Sequence, residues 1–334
     1  MPMASDRPLV DRHGRAIRYL RVSVTDRCDL RCRYCMAEDM TFLPRSEVLA
    51  LEEIALIAER FVARGVTKIR LTGGEPLVRR DALELVRRLG RSVGAGLDEL
   101  TLTTNGTRLA AHAAALAQAG VRRINVSLDS RDPEMFRHIT RHGDVAQVLD
   151  GIAAARTAGL AVKINTVALK GLNDAEIPAM LQWTSAQGMD LTLIETMPLG
   201  RIDEDRADRF VPLTAVFDDL SARFELTRDA HDSGGPARYW RVGGTGARLG
   251  LISPLTGNFC DSCNRVRLTT EGKLFTCLGH DDQVDLKAAI RGGGLMAVDA
   301  AIDAALASKP ARHDFDVAPG AAPAVTRHMS VTGG

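Results

Sequence analysis

Strand-like and helix-like segments alternate from residue 17 to about residue 225 of this 334-residue chain. Six segments have the strand pattern, at 17–24, 67–72, 99–104, 123–129, 161–167 and 190–195. Amphipathic segments with apolar residues at helical spacing lie between them, for example at 47–65, 81–93 and 174–188. Such alternation indicates βαβ units around a parallel sheet. Six units favour a partial barrel over a closed eight-fold barrel, and a doubly wound sheet is the competing architecture.

The pattern changes after about residue 235, where glycine-rich turns separate shorter strand-like segments. These segments lie at 237–242, 247–253, 266–270 and 273–277, and two helix-like segments follow at about 284–291 and 295–308. Residues 311–334 have an irregular pattern. We therefore predict an α/β protein of two domains. Residues 1–235 would form a partial (βα)6 TIM-like barrel, and residues 236–334 a smaller C-terminal α+β module that closes the barrel.

The composition limits the classes of partner. The chain has 43 Lys and Arg against 42 Asp and Glu, and 4% of its residues are aromatic. A broad basic surface or a base-stacking platform needs more of both, so we expect no nucleic acid and no membrane as partners. No apolar run approaches the roughly 20 residues of a membrane-spanning helix. The first residues lack the apolar region of a secretory signal, so we expect a cytoplasmic protein without disulfides.

The six cysteines form two groups of three. The first cysteine group is Cys28, Cys32 and Cys35, and the second cysteine group is Cys260, Cys263 and Cys277. Three thiolates are one ligand short of a closed tetrahedral site or a closed iron–sulfur cluster, so each site could hold another ligand at its open position. The first group has no histidine nearby, and we predict a cluster there. For the second group a structural zinc site is an alternative, in which His280 would be the fourth ligand of a closed Cys3His set.

Polar residues gather where the predicted strands end, in TGGEP (72–76), TTNG (103–106), SLDS (127–130) and ETMP (195–198). In α/β barrels the reactive residues come from these strand ends. Alternation within strands also groups polar residues on one face. These sets are Lys68 with Arg70 and Thr72, Asn125 with Ser127, Lys163 with Asn165, and Cys263 with Arg265 and Arg267. If they face inward, the lumen is a cationic cavity for a small polyanion; the alternative is that they face solvent.

The segment CDLRCRYC (28–35), followed by GGEP (73–76), resembles the signature of the radical S-adenosylmethionine superfamily. With FCDSCNRVRL (259–268), Cys277 and the pair Gly333-Gly334, almost the whole chain resembles the GTP 3′,8-cyclase family, also called the molybdenum cofactor biosynthesis protein A family. Within the superfamily, the second cysteine group and the NRVR sequence favour this family over the others.

The resemblance implies roles for individual residues. The first cysteine group would hold a 4Fe–4S cluster that binds S-adenosylmethionine, and the second a 4Fe–4S cluster whose open iron meets the guanine of GTP. The contacts to S-adenosylmethionine would be Tyr34, Gly74, Ser127 and Met197. The contacts to GTP would be Arg21, Arg70, Thr103, Lys163, Arg265, the backbone of Val266, and Arg267. The catalytic residues would be Cys28, Cys32, Cys35, Arg265, Arg267, Gly333 and Gly334.

The resemblance also implies a reaction. A lyase would cleave S-adenosylmethionine reductively to a 5′-deoxyadenosyl radical, which takes hydrogen from ribose C3′ of GTP. The C3′ radical would attack guanine C8 and give (8S)-3′,8-cyclo-7,8-dihydroguanosine 5′-triphosphate, in the first step of molybdopterin and molybdenum cofactor biosynthesis. The implied partners are an electron donor of flavodoxin or ferredoxin type, a second copy in a homodimer, and cyclic pyranopterin monophosphate synthase, which takes the product.

Two other functions are compatible with the residues. One is another two-cluster radical S-adenosylmethionine enzyme, of the peptide maturase type. The other is a non-catalytic iron–sulfur protein, in which closed four-cysteine clusters are expected. The missing fourth cysteine of each group counts against the non-catalytic function.

Overall fold

A computed structural model describes residues 7–333 of the chain. Within that range twelve strands form one sheet. They are β1 (Tyr19–Ser23), β2 (Lys68–Thr72), β3 (Glu99–Thr104), β4 (Arg123–Ser127), β5 (Ala161–Val167), β6 (Asp190–Ile194), β7 (Leu226–Asp229), β8 (Arg238–Val242), β9 (Arg248–Ile252), β10 (Arg265–Leu268), β11 (Lys273–Phe275) and β12 (Gln283–Asp285). Their order in the sheet is β12-β11-β10-β1-β2-β3-β4-β5-β6-β9-β8-β7. Strands β1 to β6 pair in parallel, which confirms the predicted α/β sheet.

Helices follow each of the six parallel strands. The helices of the described range are α1 (Leu51–Ala63), α2 (Ala82–Gly90), α3 (Leu109–Gln118), α4 (Pro133–Thr140), α5 (Val145–Thr157), α6 (Ile177–Ala186), α7 (Arg206–Arg209), α8 (Leu213–Arg223), α9 (Leu286–Ala307) and α10 (Met329–Thr332). Helix α9 has a kink at Gly294, whose φ of 62° is not helical, so its two arms correspond to the two helices predicted after residue 284. Within residues 7–333 no helix is long and apolar enough to cross a membrane.

The two faces of the parallel sheet differ in chemistry. One face carries the apolar residues of each strand, such as Leu20, Ile69 and Val266, and these pack with the helices in the main hydrophobic core. The alternate residues are polar and face the other way, into the lumen. A period of two along each strand produces this division, because successive side chains point to opposite faces. The lumen of this barrel is therefore a polar cavity, whereas a packed TIM barrel fills it with aliphatic side chains.

The strands after β6 extend the sheet at both of its edges. Strand β9 pairs in parallel with β6, and β10 pairs in parallel with β1. Because β9 and β10 are consecutive in the chain, the segment between them, residues 253–264, crosses from one edge of the barrel to the other. Cys260 and Cys263 lie on this crossing segment. The C-terminal region thus spans the open side of the partial barrel, as predicted.

Most differences from the predicted elements lie at strand ends. The predicted strand 123–129 ends at Ser127 in the structure. The Val167 N–H of β5 donates to the side-chain carboxylate of Asp129 at 2.9 Å, so backbone pairing between the two strands does not extend to Asp129. Strands β7 and β12 have no counterpart in the prediction. The region 311–334, predicted to be irregular, contains the short helix α10 near its end.

Candidate active site

The first cysteine group lies on the loop between β1 and α1, at the carboxyl ends of the parallel strands. The loop turns back on itself where the Cys35 N–H donates to the Cys32 carbonyl at 2.9 Å. The GGEP loop after β2 packs directly on it, and the Glu75 N–H donates to the Arg27 carbonyl at 2.8 Å. A Cβ at Gly74 would lie 2.3 Å from that carbonyl oxygen, so only glycine fits there. The close packing of these two loops explains why the two motifs occur together.

The thiols of the first cysteine group are protonated at neutral pH in the free protein. Burial raises the pKa of Cys28 to about 12 and that of Cys35 to about 11, and raises the pKa of Cys32 well above its usual value. The carboxyl groups of Glu75 and Asp129 add to this effect, because negative charge opposes the thiolate. Coordination to a metal removes the proton from a thiol. Free thiolates are therefore unfavourable in this site, and the cysteines become thiolates when a strongly cationic group binds them.

The first cysteine group opens onto a cavity, the first cavity, whose walls are the ends of strands β2 to β6. All four residues predicted to contact S-adenosylmethionine line it: Tyr34, Gly74, Ser127 and Met197. Thr103, predicted to contact GTP, lines this cavity too. The sequence motifs that are far apart in the chain thus meet around one space, and the roles assigned to these residues stay predictions.

Two buried carboxylates also line the first cavity, Asp129 and Glu195. Asp129 accepts hydrogen bonds from the Tyr34 hydroxyl at 2.8 Å and from the Val167 N–H. Burial raises the pKa of Asp129 to about 6, although these hydrogen bonds oppose the shift. Glu195 accepts from the Leu255 N–H at 3.0 Å and so ties the end of β6 to the segment that crosses the barrel. Glu195 is thereby occupied within the protein, and Asp129 holds Tyr34 beside the cysteines.

The second cysteine group lines another cavity, the second cavity, together with five cationic residues. These are Arg21, Arg70, Lys163, Arg265 and Arg267, all predicted to contact GTP. The sheet register places Arg21 opposite Arg267 of β10 on one side and Arg70 of β2 on the other. We call these three residues the arginine row. Like charges on neighbouring strands destabilise a sheet, so the row indicates a site for an anion.

The charges of the second cavity act on one another. Burial lowers the pKa of Arg21 to about 9 and that of Arg267 to about 10, and neighbouring guanidiniums oppose the charge on both. Burial alone would raise the pKa of Tyr19, but the cations around it, Arg70 first among them, lower that pKa to about 8. The free cavity therefore holds more positive charge than its surroundings neutralise.

Unsatisfied polar atoms point to a ligand in the same place. Among the described residues that line the second cavity, the Nε atoms of Arg70 and Arg267 and both amide atoms of Asn125 are buried without a hydrogen-bond partner. Each such group costs about 1–3 kcal/mol if it stays unpaired. A polar anionic ligand would pair with these groups and neutralise the arginine row, so the second cavity has the features of a binding site rather than of a packed core.

The two cavities are adjacent, because four residues line both of them. These are Asn165, Ile194, Met197 and Met329. Met329 belongs to α10, so the C-terminal segment helps to form the wall between the cavities. That segment is anchored on the loop after β6, where the Gly200 N–H donates to the Val325 carbonyl at 2.9 Å. Gly333 lies beside Thr72 inside the barrel, and Gly334 lies outside the described residues.

Two family models match the chain, Radical SAM superfamily over residues 22–184 and Molybdenum Cofactor Synthesis C over residues 189–315. The GTP 3′,8-cyclase of Erythrobacter litoralis (strain HTCC2594) is 59% identical over 327 residues, which cover 98% of each chain. The GTP 3′,8-cyclase of Rhizobium etli (strain CIAT 652) is also 59% identical, over 100% of this chain and 97% of that protein. This chain belongs to the GTP 3′,8-cyclase family.

A solved structure supports the fold of this GTP 3′,8-cyclase family member. SuiB of Streptococcus suis, in a crystal structure with bound S-adenosylmethionine, aligns with a TM-score of 0.56. The alignment covers 86% of this chain and 71% of SuiB, at 13% sequence identity. At that identity the similarity concerns the fold alone, and it agrees with a partial barrel that carries a C-terminal module.

The donor atoms fit the two 4Fe–4S clusters and the S-adenosylmethionine that are implied by the GTP 3′,8-cyclase family. The six cysteines are free thiols, and three of them line each cavity. No group of three or more His, Cys, Asp and Glu side chains in residues 7–333 is arranged to hold a metal ion. The sulfurs of a 4Fe–4S cluster bind different irons, so they need not converge on one point. His280, the fourth zinc ligand of the alternative, has its Nε2 at 2.9 Å from the Arg312 carbonyl oxygen.

Sequence reasoning placed Asn125 on the polar face with Ser127, but it missed Asp129 in the first cavity and Lys309 beside the second cysteine group. Asp129 lies within a strand-end motif, SLDS, so it had a signal in the sequence. Lys309 had none, because it follows α9 and reaches the second cysteine group only through the fold. Val266 was predicted to act through its backbone, and its side chain is buried in the core between two arginines of β10.

Proposed function

We propose that this protein converts GTP to (8S)-3′,8-cyclo-7,8-dihydroguanosine 5′-triphosphate as a radical S-adenosylmethionine lyase of molybdenum cofactor biosynthesis. One observation carries the proposal: a cationic cavity with the arginine row shares a wall with the cavity of the first cysteine group. A triphosphate would neutralise the row, since guanidinium groups bind phosphate oxygens in pairs. The arrangement sets a polyanion site directly beside a site for a radical source.

The first cysteine group would hold a 4Fe–4S cluster, with Tyr34, Gly74, Ser127 and Met197 around S-adenosylmethionine. The second cysteine group would hold the other 4Fe–4S cluster beside GTP. The arginine row, Lys163, Arg265, Thr103 and the Val266 backbone would bind the nucleotide. Support comes from the two cavities, which all of these residues except Val266 line, and from the unpaired polar atoms of Arg70, Arg267 and Thr103.

When bound by the first cysteine group, the cluster and S-adenosylmethionine would supply the radical chemistry of the reaction. The residues of this chain bind, orient and shield the reactants. The arginine row holds the phosphates, and Ile194, Met197 and Met329 form an apolar part of the wall between the cavities. Apolar walls exclude water from a reactive intermediate. The C-terminal segment, which carries Met329 and Gly333, contributes to the wall between the cavities. We propose Gly333 and Gly334 as catalytic residues; Gly333 is supported by its place beside Thr72, and Gly334 by the family resemblance alone.

We propose two domains, residues 1–235 with the first cluster and residues 236–334 with the second. The two family models instead meet between residues 184 and 189. Strand β6 supports the later boundary, because it continues the parallel series by pairing with β5 over five residues. Helices α7 and α8 also precede the first antiparallel pair, β7 with β8.

We further propose an electron donor of flavodoxin or ferredoxin type, a homodimer, and transfer of the product to cyclic pyranopterin monophosphate synthase. A cytoplasmic location fits free cysteines, because thiols stay reduced in that compartment. These proposals follow from the family, and each requires its own binding experiment.

The function is tested by anaerobic incubation of the reconstituted protein with GTP, S-adenosylmethionine and dithionite. We expect 5′-deoxyadenosine and a cyclised nucleotide to form together. Formation of 5′-deoxyadenosine without a nucleotide product would indicate a radical enzyme with another substrate, such as a peptide. Formation of neither compound by a protein that holds its clusters would indicate a non-catalytic iron–sulfur protein. Either result would overturn the proposed function.

A further inference from the structure

Lys309 is a buried lysine at the second cysteine group, with 1% of its surface exposed. It follows helix α9, and its Nζ lies 3.6 Å from the Sγ of Cys263. The same ammonium donates to the carbonyl oxygen of Arg265 at 3.3 Å and to that of Thr276. One side chain therefore contacts the cysteine loop before β10, strand β10 itself and the residue that precedes Cys277.

The ammonium has no ordinary counter-charge. In the part of the chain that the structure describes, residues 7–333, no carboxylate forms an ion pair with Lys309, and its contacts are one sulfur and two carbonyl oxygens. A buried charge without a partner is costly, so buried lysines are normally paired. The sulfur of Cys263 is the group that becomes anionic when the site is loaded. The environment of Lys309 is thus built for an anion at the second cysteine group.

Two other cations hold this cysteine group by its backbone. Arg15 donates to the Cys260 carbonyl at 2.8 Å, and Arg327 donates to the Cys277 carbonyl at 3.4 Å. Arg15 is paired with Asp11 and Arg327 with Asp281, so neither brings a free positive charge. Lys309 differs from both, because it touches a sulfur and has no carboxylate partner. Two cations reach the sulfur of Cys263, the Lys309 ammonium at 3.6 Å and the Arg265 guanidinium at 4.0 Å. Arg265 belongs to the proposed GTP site, whereas Lys309 lines neither cavity, so Lys309 is the nearer cation and is placed to act on the charge of a bound cluster.

We propose that Lys309 is a positioning residue that sets the reduction potential of the cluster on the second cysteine group. Its role rests on the proposed function, because it requires a 4Fe–4S cluster there. Three thiolates make such a cluster anionic, and reduction adds further negative charge beside the ammonium. Hydrogen bonds and positive charge at a cluster sulfur favour the reduced state and raise the potential. Lys309 would also keep the loop before β10 in register with the strand end that carries Cys277.

The test compares Lys309→Met, which removes the charge at similar length, with Lys309→Arg, which keeps it. Full-length protein is reconstituted anaerobically, its iron is counted, and cluster potentials are measured by redox titration with electron paramagnetic resonance. The full-length C28S/C32S/C35S variant identifies the signal of the second cluster. We expect Lys309→Met to shift that potential to a more negative value and Lys309→Arg to stay close to wild type. The potential of the first cluster should not change in either variant.

Several outcomes separate the role of Lys309 from the proposed function. Two 4Fe–4S clusters contain about eight irons. If wild-type protein held only about four, the role of Lys309 and the proposed function would both be overturned before any variant is measured. Wild-type protein with both clusters and an unchanged potential in Lys309→Met would overturn the role of Lys309 alone. If Lys309→Met loses the second cluster, the iron content of Lys309→Arg decides. A second cluster in Lys309→Arg supports the role of the positive charge, and loss of that cluster overturns it.

Discussion

Arg21 and Gly333 are joined by a hydrogen bond in which the guanidinium donates to the carbonyl oxygen at 3.3 Å. The bond links the middle of the arginine row to the last residue that the structure describes. Gly333 has a φ of 71°, and a Cβ there would lie 1.8 Å from the Thr72 hydroxyl oxygen, so no other residue fits. The C-terminal segment therefore contacts the proposed GTP site from inside the barrel.

Deletion of Gly333 and Gly334 should abolish cyclisation of GTP and leave both clusters in place. The deletion removes the acceptor of the Arg21 hydrogen bond but no cysteine and no residue beside one. Product formation and iron content measured on the same preparation check this prediction. A truncated protein that forms product at the wild-type rate would show that the contact has no role. Loss of iron would show instead that the segment supports a cluster.

Arg70→Met should weaken GTP binding and strengthen the free protein. Arg70 is buried, and its Nε has no partner among the described residues, so its charge is poised for a ligand. Loss of a buried charge partner typically costs about 2–5 kcal/mol of binding free energy. Without GTP, the variant removes a like-charge neighbour of Arg21, and the free energy of unfolding should rise by about 0.2–1 kcal/mol. Isothermal titration calorimetry and urea unfolding measure the two effects.

Arg80→Met is the matched control for this prediction. The Arg80 side chain is 88% exposed and lies outside both cavities, so the substitution should change neither GTP binding nor stability. If Arg70→Met behaved like Arg80→Met, the arginine row would not be the phosphate site.

The alternation of polar and apolar residues made much of the site predictable. A period of two places Lys163 and Asn165 on one face of β5, and the apolar residues that alternate with them, Val162 and Ile164, belong to the core. The cysteine spacing and the strand-end motifs likewise carry local information. These features are visible in sequence because each depends on residues that are close together in the chain.

The remaining features depend on contacts that no local pattern encodes. Arg267 joins the arginine row only because β10 pairs with β1, which lies more than two hundred residues earlier in the chain. Lys309 reaches Cys263 across 46 residues, and the C-terminal segment reaches Arg21 across 312 residues. The C-terminal segment has the irregular pattern of a tail, so its local sequence gives no position; the family resemblance implies a role for Gly333 and Gly334, and packing against the loop after β6 places the segment.

Asp129→Asn should make the cluster-free protein more stable at neutral pH. The pKa of Asp129 is raised to about 6 in the folded protein, above its ordinary value of 3.8. The folded state therefore binds the proton more tightly, and its stability falls as the pH rises through the window from about 4 to about 6. The variant avoids this loss and should gain up to about 3 kcal/mol in unfolding free energy at pH 7. The gain should be absent near pH 4.

Urea unfolding at several pH values measures this difference, and Asp150→Asn serves as control. Asp150 is exposed on helix α5, so its substitution should leave the pH dependence unchanged. Equal pH profiles for wild type and Asp129→Asn would contradict the raised pKa. A loss of stability at every pH would show that the hydrogen bonds of Asp129 to Tyr34 and Val167 outweigh its burial.

Gly74→Ala should cost the protein its first cluster and leave the second one in place. The new Cβ would lie 2.3 Å from the Arg27 carbonyl oxygen, next to Cys28, so the cysteine loop must move. Overpacking of this kind typically costs about 1–3 kcal/mol. We expect about four irons per chain in place of about eight. Gly246→Ala is the control, because nothing lies within 4 Å of a Cβ there. Full iron content in Gly74→Ala would disprove the contact between the two loops.

His280→Ala should leave the metal content of the second cysteine group unchanged. The His280 Nε2 is engaged with the Arg312 carbonyl at 2.9 Å, and a cluster needs only the three cysteines of the group. A Cys3His zinc site would lose its fourth ligand in this variant and release the metal. Iron and zinc are therefore measured in wild type, His280→Ala and Cys277→Ala. About eight irons and no zinc in both wild type and His280→Ala, with loss of four irons in Cys277→Ala, fits two clusters. About four irons with one zinc in wild type, and loss of that zinc in His280→Ala, would establish the zinc site instead.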